Sequence, residues 1–160
     1  MCIRDRSIVE SAWDDIDIYT AAQSIKTFGT GVFPSHWLEM AKSRLYDEDV
    51  SATWTMHRIV RDLLSAFTPI CPFFTHYLST QIYGISAVDV RDYPASVELV
   101  NTDVFGDIPD LTAKVMEFNS MVWKAKKEAG MSLKSPISGI EVPTDLGIVS
   151  QALTDMHRLE

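Results

Sequence analysis

The segment DVSATWTMHRIVRDLLSAFTPICPFFTHYLSTQIYG, which runs from Asp49 to Gly84, carries the clearest secondary-structure pattern in the chain. Apolar residues recur at helical spacing over 50–67, which predicts an amphipathic helix. Asp49 or Ser51 can cap its first turn, and Pro69 and Pro72 end it. The predicted apolar face comprises Val50, Trp54, His57, Val60, Leu64 and Phe67, and the predicted polar face comprises Ser51, Thr55, Arg58, Asp62 and Ser65.

Helices are also predicted on both sides of this one. Downstream, a helix begins near Pro72, because proline suits a first helical turn, and Gly84 ends it. Upstream, residues 19–47 form two helical halves separated by two glycines and Pro34. Since proline inside a helix removes a hydrogen bond, we expect one bent helix or two abutting helices. Three amphipathic helices joined by short loops indicate a mainly α fold, an antiparallel helical bundle. The apolar positions of the two upstream halves are Ala22, Ile25, Phe28 and Val32, then Phe33, Trp37, Ala41 and Leu45.

The pattern changes after Gly84. Residues 85–107 hold scattered apolar residues, acids and a proline, which is typical of an extended connector. A long helix is predicted over 109–129, and the sequence ISGIEV, 137–142, predicts a strand between two prolines. Thr144 can cap a last helix, so we expect a small, truncated α/β appendage after the bundle. The long helix has the apolar stripe Leu111, Val115, Phe118, Val122, Ala125 and Ala129, and the last helix carries Leu146, Val149, Leu153 and Met156.

The single strand needs a partner, because an isolated strand is not stable. Either SAVDV, 86–90, pairs with it, or its partners lie beyond Glu160. The opening MCIRDRS resembles the translated remnant of a sequencing adapter, so we set residues 1–6 aside as non-native. We expect the remainder to be an internal piece of a longer protein. It divides into a helical bundle over 7–94 and, over 95–160, a connector, a long helix and a truncated, partial α/β subdomain.

Composition limits the class of protein. The chain has 160 residues, of which 46% are hydrophobic and 22% charged, as in an ordinary soluble globular protein. Its formal net charge of −8 argues against a domain that coats nucleic acid, but not against a local basic face. It has neither a secretory signal pattern nor an apolar run that could cross a membrane. Two cysteines, Cys2 and Cys71, are too few for a disulfide scaffold and favour a cytoplasmic location.

The sequence contains no recognisable catalytic apparatus. The glycines around Thr30 do not follow a strand, so they do not form a phosphate-binding loop. No histidine lies near another histidine or a cysteine at the spacing of zinc ligands. His57, on the predicted apolar face, is interpreted as a core or interface histidine, and Trp54 and Trp123 as packing residues. We therefore predict no catalytic, cofactor-binding or metal-binding residue in this chain.

Basic residues are the other candidates for function. The simplest interpretation is a solvated surface that pairs with neighbouring acids such as Glu39 and Asp62. A third group ends the long helix, where positive charge complements the helix dipole. The first two groups are Lys42 with Arg44 and Arg58 with Arg61, and the third comprises Lys124, Lys126 and Lys127.

Four blocks of the sequence resemble class I aminoacyl-tRNA synthetases. FGTGVFPSHWLEMAKSRLYD carries the pattern of that family in Phe28, Phe33, Trp37-Leu38-Glu39, Lys42 and Arg44. LLSAFTPICPFFTHYLSTQIYG resembles its leucine-rich helix and the helix that ends in isoleucine-tyrosine, and SAVDVRDYP resembles its extended stretch ending in an aromatic–proline pair. VWKAKKEAGMSLKSPISGIEV resembles archaeal-type valyl-tRNA synthetases in particular. The blocks cover about 19–142, and the departures are Pro34, in a stretch the family keeps helical, and Ser79-Thr80-Gln81 in place of an acidic pair.

The resemblance implies the anticodon-binding helical bundle of a valine–tRNA ligase, in which Trp37, Ala41 and Leu45 belong to the core. The parent enzyme would attach valine to tRNA with ATP and Mg²⁺, using catalytic and editing domains that this chain does not contain. The implied partners are those domains and tRNA, in particular valine tRNA. Alternatives are the same domain of isoleucyl-, leucyl- or methionyl-tRNA synthetases, or a helical protein-interaction module without enzymatic function. The candidate tRNA contacts are Lys42, Arg44, Arg58 and Arg61.

Overall fold

Helices account for most of the chain that the computed structural model describes, residues 3–85 and 108–160. This confirms the mainly α fold predicted from the sequence. No helix in that part is both long and apolar enough to cross a membrane. The helices are α1 (Ile3–Asp14), α2 (Ile18–Thr27), a π-helical segment (Phe28–Leu38), α3 (Glu39–Tyr46), α4 (Val50–Phe67), α5 (Pro72–Tyr83), α6 (Ile108–Glu128), a 3₁₀ segment (Thr144–Val149) and α7 (Ser150–His157).

The ends of α4 and α5 follow the predicted signals. The Asp49 side chain accepts a hydrogen bond of 3.0 Å from the backbone N–H of Ala52, so Asp49 is the cap of α4. Pro72 occupies the first turn of α5, and Gly84 ends that helix in the left-handed conformation at φ 67°. The two helices pack together across a loop of four residues, 68–71, so they form an antiparallel hairpin.

The π-helical segment joins α2 and α3 without a break, so the two upstream halves form one continuous helix rather than two abutting helices. Residues at both junctions keep right-handed helical backbone angles. Its wider turn, with i to i+5 hydrogen bonds, accommodates Pro34 inside the helix and puts residues five apart on one side. Phe28 stacks on Phe33 with ring centroids 6.2 Å apart, and Phe33 stacks on Trp37 at 5.5 Å. Through Phe28 and Phe33, the apolar side of the segment packs in the core.

Two apolar clusters hold the described residues together. The predicted stripes of α2 and α6 are buried at Ile25, Phe28, Val115, Phe118 and Val122. The prediction is wrong at Ala129, which is exposed and lies just beyond the end of α6. The first cluster comprises Val9, Ile25, Phe28 and Ala66, with Trp13, Val32, Phe33, Ile59, Leu63, Phe67 and Ile70 packed against it. The second comprises Val115, Phe118, Val122, Leu146 and Leu153, with Met40, Leu111, Ile137, Ile140, Val142, Val149 and Leu159 packed against it.

The face of α4 that turns towards the core differs from the predicted one. Leu64, 7% exposed, is buried as expected, but Val50, Trp54 and His57 are exposed. The helix carries a second apolar stripe, and that stripe packs on α2 and the rest of the first cluster. This stripe comprises the buried Ala52 and Ala66 and the partly buried Ile59, Leu63 and Ile70, the last lying just beyond the helix.

The predicted strand at 137–142 is wrong in extent. Ile137 forms a single parallel bridge with Leu159, in which the N–H of Ile137 donates to Arg158 O and the N–H of Glu160 donates to Ile137 O, both at 3.1 Å. The rest of the segment is irregular, because no second strand pairs with it among the described residues. Its apolar side chains pack instead on the second cluster. The suggested partner, 86–90, lies outside the described residues, and the last helix begins with a 3₁₀ turn that the Thr144 side chain does not cap.

Candidate RNA interface

Lys42 and Arg44 lie on α3 and are exposed, but each is paired with a nearby acid. Lys42 Nζ lies 3.1 Å from Glu39 Oε1, one turn earlier on the same helix. Arg44 Nη2 lies 2.9 Å from Asp49 Oδ2 and so links the end of α3 to the cap of α4. The Ala52 N–H and, next, the Arg44 side chain hold the pKa of Asp49 below its usual value. Both pairs are solvent-exposed, and such pairs exchange readily for other anions because they contribute little energy.

Arg58 and Arg61 lie on α4, a helix that packs on α3. Arg58 Nε donates a hydrogen bond of 3.1 Å to Asp62 Oδ1, and this carboxylate is only 6% exposed. The predicted polar face of α4 is therefore wrong at Asp62, which needs Arg58 as a counter-ion. Arg61 instead stands over the ring of Tyr83, its guanidinium carbon 5.8 Å from the ring centroid. Among the side chains that the structure describes, Arg61 makes no salt bridge, so it is available to an anion.

An exposed stripe of large side chains runs along α4, where the sequence pattern predicted a buried one. Val50, Trp54, His57 and Arg61 follow one another at helical spacing on the outer side of the helix. Trp54 is 63% exposed, and His57 is exposed as well, so neither belongs to the core. The helical spacing of these residues is visible in the sequence. Spacing alone, however, does not tell which of two apolar stripes on a helix is buried by the rest of the fold.

Tyr83 of α5 completes this stripe. Its hydroxyl lies 3.2 Å from His57 Nδ1 and donates to the His57 backbone oxygen at 3.3 Å. The two rings meet edge to face with centroids 5.8 Å apart. Burial raises the pKa of Tyr83, and the nearby Arg61 opposes that rise. Hydroxyl and ring contacts together hold Tyr83 in one orientation beside the exposed end of the stripe.

The α4–α5 hairpin is poor in negative charge on an otherwise acidic chain. Residues 50–85 contain a single carboxylate, whereas the whole chain has 22 acidic residues and a net charge of −8. That carboxylate is Asp62, which is buried and paired with Arg58. The outer surface of the hairpin therefore presents Arg61 and exposed rings without a carboxylate of its own. Such a surface favours anions.

Helix α5 also turns its aromatic residues outwards. Phe73 is 90% exposed, and Phe74 and Tyr77 are exposed too. Two small polar residues, Thr75 and Ser79, are the ones that α5 buries. The Thr75 hydroxyl donates to the backbone oxygen of Cys71 at 3.0 Å, so its burial leaves no unsatisfied donor. The hairpin therefore combines a low negative charge with several exposed aromatic rings.

Lys126 is buried, contrary to the solvated position that the sequence predicts for it. The sequence groups it with Lys124 and Lys127 as a solvated cation at a helix end, but its side chain is fully buried. Its ammonium donates to the backbone oxygens of Leu133, Ser135 and His157 at 2.9, 2.8 and 2.7 Å. Burial, and next the charge of Arg158, lower its pKa. Nothing in the spacing of three lysines distinguishes the buried one.

A second buried polar group lies beside it. Asn119 is fully buried, and its amide nitrogen donates to His36 Nδ1 at 2.9 Å while its amide oxygen accepts from His157 Nε2 at 2.7 Å. Trp123 lies next to both histidine rings, at centroid distances of 5.3 and 6.0 Å. Burial lowers the pKa of His36. Burial, then the charges of Lys126 and His36, lower the pKa of His157 to about 4. Both rings are therefore neutral at pH 7, and the network joins the π-helical segment, α6 and α7.

Within the described ranges, no group of three or more His, Cys, Asp or Glu side chains could hold a metal ion. Cys71 is a free, exposed thiol at the start of α5. The prediction that the chain holds no catalytic or cofactor-binding residue remains a prediction.

Residues 6–142 match a protein family described as the anticodon-binding domain of tRNA ligase. Because the match covers most of the chain, this protein belongs to that family. Among curated proteins, the chain is similar to valine–tRNA ligases, which confirms the archaeal valyl-type resemblance found in the sequence. The chain is 29% identical to the valine–tRNA ligase of Aeropyrum pernix over 158 residues, which are 94% of this chain and 19% of that protein.

Two further relatives give the same result. The valine–tRNA ligase of Nanoarchaeum equitans is 29% identical over 140 residues, 87% of this chain and 18% of that protein. The valine–tRNA ligase of Methanothrix thermoacetophila is 31% identical over 144 residues, 88% of this chain and 16% of that protein. The chain thus spans about a fifth, or somewhat less, of the length of these relatives.

Proposed function

We propose that this chain is the tRNA-binding region of a valine–tRNA ligase and that it binds the anticodon stem and loop of valine tRNA. Membership of the anticodon-binding family supports tRNA as the ligand, and the similarity to valine–tRNA ligases supports the valine-specific one. The observation that carries the proposal is the α4–α5 hairpin, because it offers exposed rings and arginine with a single, buried carboxylate. Affinity for RNA comes from cations at phosphates and from aromatic side chains at unpaired bases.

The activity of the whole enzyme is part of this proposal. The parent protein attaches valine to tRNA with ATP and Mg²⁺, using catalytic and editing domains that are partners of this region, and it acts in the cytoplasm. This chain contributes tRNA binding and no catalytic or ATP-binding residue. Its sequence has no phosphate-binding loop after a strand. The isolated chain is expected to give no valine-dependent pyrophosphate exchange, and exchange above background would contradict this division of roles.

Four cations are the proposed phosphate contacts: Lys42, Arg44, Arg58 and Arg61. Their availability differs. Lys42 and Arg44 can leave their exposed carboxylate partners for a phosphate at little cost. Arg61 has no described carboxylate to leave, while Arg58 is needed by the buried Asp62. We therefore rank Arg61 first, Lys42 and Arg44 next, and Arg58 last among direct contacts.

The experiment is an anisotropy titration of fluorescently labelled valine tRNA with the 160-residue chain at several salt concentrations. Each lost phosphate contact should reduce the slope of log affinity against log salt by a little under one. Lys42→Ala with Arg44→Ala should therefore flatten the slope by about one to two units. Lys124→Ala with Lys127→Ala is the matched control, since it removes two exposed charges from α6 and should leave the slope unchanged.

Competition with unlabelled tRNAs separates the alternatives. Preference for valine tRNA supports the proposal. Stronger competition by isoleucine, leucine or methionine tRNA would assign the chain to the corresponding ligase instead. Absence of salt-sensitive binding to any tRNA would overturn the RNA-binding function and favour a helical protein-interaction module, for which the exposed aromatic residues of α5 would be the contact surface.

A further inference from the structure

The last turns of α6 and the turn that follows them line an open pocket, called here the α6 pocket. Its volume is about 610 Å³. Three of the lining side chains are apolar and two are cationic: Trp123, Met131 and Leu133, and Lys124 and Lys127. Leu133 is 55% exposed, so part of this apolar lining remains in contact with water. A concave, mainly apolar surface with a few charged groups is the usual form of a binding site.

The turn that forms one wall of the pocket is fixed from the inside. The buried ammonium of Lys126 donates to the backbone oxygens of Leu133 and Ser135 at 2.9 and 2.8 Å. The N–H of Met131 donates to Lys126 O at 2.8 Å, and Gly130 turns the chain in the left-handed conformation at φ 66°. The wall is therefore preorganised, and a ligand would not have to order it on binding.

Trp123 is held in position as well. The rings of His36 and His157 lie against it, with centroids 5.3 and 6.0 Å from its own. Both histidines are in turn hydrogen-bonded to the buried Asn119. Because two rings already contact the indole and its side chain is partly buried, Trp123 offers less surface to a stacked base than an exposed tryptophan does.

The surface around the pocket is positive on an otherwise acidic chain. Residues 118–140 contain four lysines and one acid, Glu128, whereas the whole chain has a net charge of −8. Lys124 lies 3.9 Å from Glu128, and these side chains are 77% and 68% exposed, so the pair is weak. Lys127 makes no salt bridge with any side chain that the structure describes, and Lys134 is exposed nearby in the sequence. The pocket therefore favours a negatively charged ligand.

These properties favour an acidic peptide over a nucleic acid. Methionine and leucine side chains such as Met131 and Leu133 adapt to the shape of an apolar side chain from a partner. The described lining contains no arginine, whose planar guanidinium suits phosphates and bases. Lysines at the edge of an apolar surface attract carboxylates and disfavour basic partners.

We propose that the α6 pocket binds an acidic segment of a partner protein. A leucine or phenylalanine side chain of that segment packs against Trp123 and Leu133, and its carboxylates pair with Lys124 and Lys127. An amphipathic helix that lays its apolar side into a groove is a common form of such recognition. The site is separate from the cations proposed as tRNA contacts and does not rest on the tRNA-binding function.

The first experiment selects peptides from a random peptide library on the immobilised 160-residue chain. Peptides that also bind the double variant Lys127→Glu with Leu133→Asp are discarded, because that variant reverses a charge of the pocket and places another in its apolar lining. The remaining peptides should be rich in aspartate and glutamate around one large apolar residue. A selection that leaves no peptides, or peptides without this acidic and apolar pattern, would overturn the proposal.

The second experiment locates the bound peptide by two-dimensional NMR of the isotope-labelled chain. A selected peptide should shift the indole N–H of Trp123 and the backbone N–H groups of residues 131–133. The indole N–H of Trp54, which is 63% exposed on α4, is the internal control and should not move. The same peptide with serine in place of its large apolar residue, or with lysine in place of each acid, should cause neither shift. Shifts confined to Trp54 and its neighbours would place the peptide elsewhere and overturn the α6 site.

Single variants then test the charge and the apolar contact separately. Lys127→Glu should weaken peptide binding by roughly tenfold or more, since it sets a like charge against the acidic peptide. Lys26→Glu is the matched control, because it makes the same charge change at an exposed position on α2 and should leave peptide binding nearly unchanged. Leu133→Ser should weaken binding without loss of helical content by circular dichroism, as Leu133 belongs to neither core cluster. Equal affinities for Lys127→Glu and Lys26→Glu would contradict the site.

The outcomes for RNA are distinct from those for the peptide. A selected peptide should not compete with labelled valine tRNA for the chain, and Lys124→Ala with Lys127→Ala should leave the salt dependence of tRNA binding unchanged. Competition together with a flattened salt dependence would assign the α6 pocket to RNA, which overturns the peptide site and leaves the tRNA-binding function standing. Failure to bind any tRNA, with peptide binding intact, would overturn that function alone.

Discussion

The ammonium group of Lys126, near the end of α6, donates a hydrogen bond of 2.7 Å to the backbone oxygen of His157, the last residue of α7. The same group donates to Leu133 and Ser135 in the turn that follows α6. All three ammonium protons are therefore used on backbone oxygens of two segments. One buried side chain fixes the turn and α7 to the long helix.

Replacing Lys126 with methionine should be strongly destabilising. Methionine keeps the length of the side chain but leaves three carbonyl oxygens without their charged donor. We expect the free energy of unfolding to fall by about 2–5 kcal/mol, the range for buried polar groups that lose a charged partner. Urea denaturation followed by circular dichroism measures this loss.

Lys127→Met serves as its control, because Lys127 is the next residue and is exposed. Its substitution should change the free energy of unfolding by less than about 0.5 kcal/mol. Similar losses for the two variants would show that Lys126 is solvated in solution, as the sequence interpretation had it.

Lys126 illustrates what the sequence could and could not reveal. Helix ends were predictable because they depend on local groups, such as the Asp49 carboxylate at the start of α4 and Gly84 after α5. The buried state of Lys126 depends on oxygens up to 31 residues away, and no local pattern encodes that contact. The sequence pattern of two consecutive lysines is the same whether the first side chain is solvated or buried against a turn.

The buried face of α4 is a second feature that the sequence pattern does not determine. Two apolar stripes compete on this helix, and the spacing of the apolar residues predicts that the stripe with Trp54 is buried. In the structure, the stripe with Ile59, Leu63 and Ala66 packs on the first cluster instead. Lys42 and Arg44 are candidate cations by resemblance to the family, and their role stays a prediction. Of the carboxylate partners in the structure, the sequence predicts Glu39 and Asp62 but not Asp49.

The buried His157 should make stability depend on pH. Its pKa is lowered from the ordinary 6.5 to about 4, so the unfolded state binds the proton more readily than the folded state. The stabilisation is fully present above pH 6.5 and is lost as the pH falls from there towards 4. Its full size is about 3 kcal/mol, from the free energy of roughly 1.4 kcal/mol per pH unit between the two pKa values. Urea titrations between pH 7.5 and roughly 4.5 measure this slope.

His157→Gln should reduce the slope in that pH range, because glutamine does not titrate. His36 contributes a smaller slope of the same sign, since burial lowers its pKa as well. His57→Gln, at an exposed position outside this buried network, is the control for the loss of one histidine. Carboxylates with lowered pKa, such as Asp17 and Asp145, act below pH 3.8 and do not interfere. An unaltered slope in His157→Gln would contradict the buried, neutral state of this ring.

Asn119→Asp should reverse the pH response of the neighbouring histidines. The Asn119 amide nitrogen donates to His36 Nδ1, and a carboxylate in its place can only accept. His36 must then present a proton on Nδ1, and the added negative charge favours the imidazolium form, so the pKa of His36 should rise above its lowered value in the unmodified chain. A group with a raised pKa stabilises the fold below its unfolded pKa and loses that effect as the pH rises.

The titration of His36 can be followed by two-dimensional NMR of the histidine ring protons. The variant should be less stable than the unmodified chain at pH 8, and the difference should shrink towards pH 6. Asn119→Ala provides the comparison, because it removes both hydrogen bonds without adding a charge and should leave the pKa of His36 low. A His36 pKa that is the same in the aspartate variant and the unmodified chain would rule out the hydrogen bond as assigned.

Arg58→Ala should cost more stability than its place on a polar helix face predicts. From the sequence alone, the expected loss is below about 0.5 kcal/mol, as for a solvated residue. In the structure, Arg58 donates at 3.1 Å to Asp62, a carboxylate that is 6% exposed. Removing the counter-ion of a buried charge should cost about 1–3 kcal/mol, moderated because the Arg58 side chain is itself 33% exposed.

Arg61→Ala, one turn further on, should cost less than about 0.5 kcal/mol, since Arg61 covers a ring and serves no buried acid. The urea midpoints of the two variants distinguish a buried Asp62 from a solvated one. Equal midpoints would show that Asp62 is solvated. The double variant Arg58→Ala with Asp62→Ala should recover part of the loss, because it removes the buried charge together with its partner.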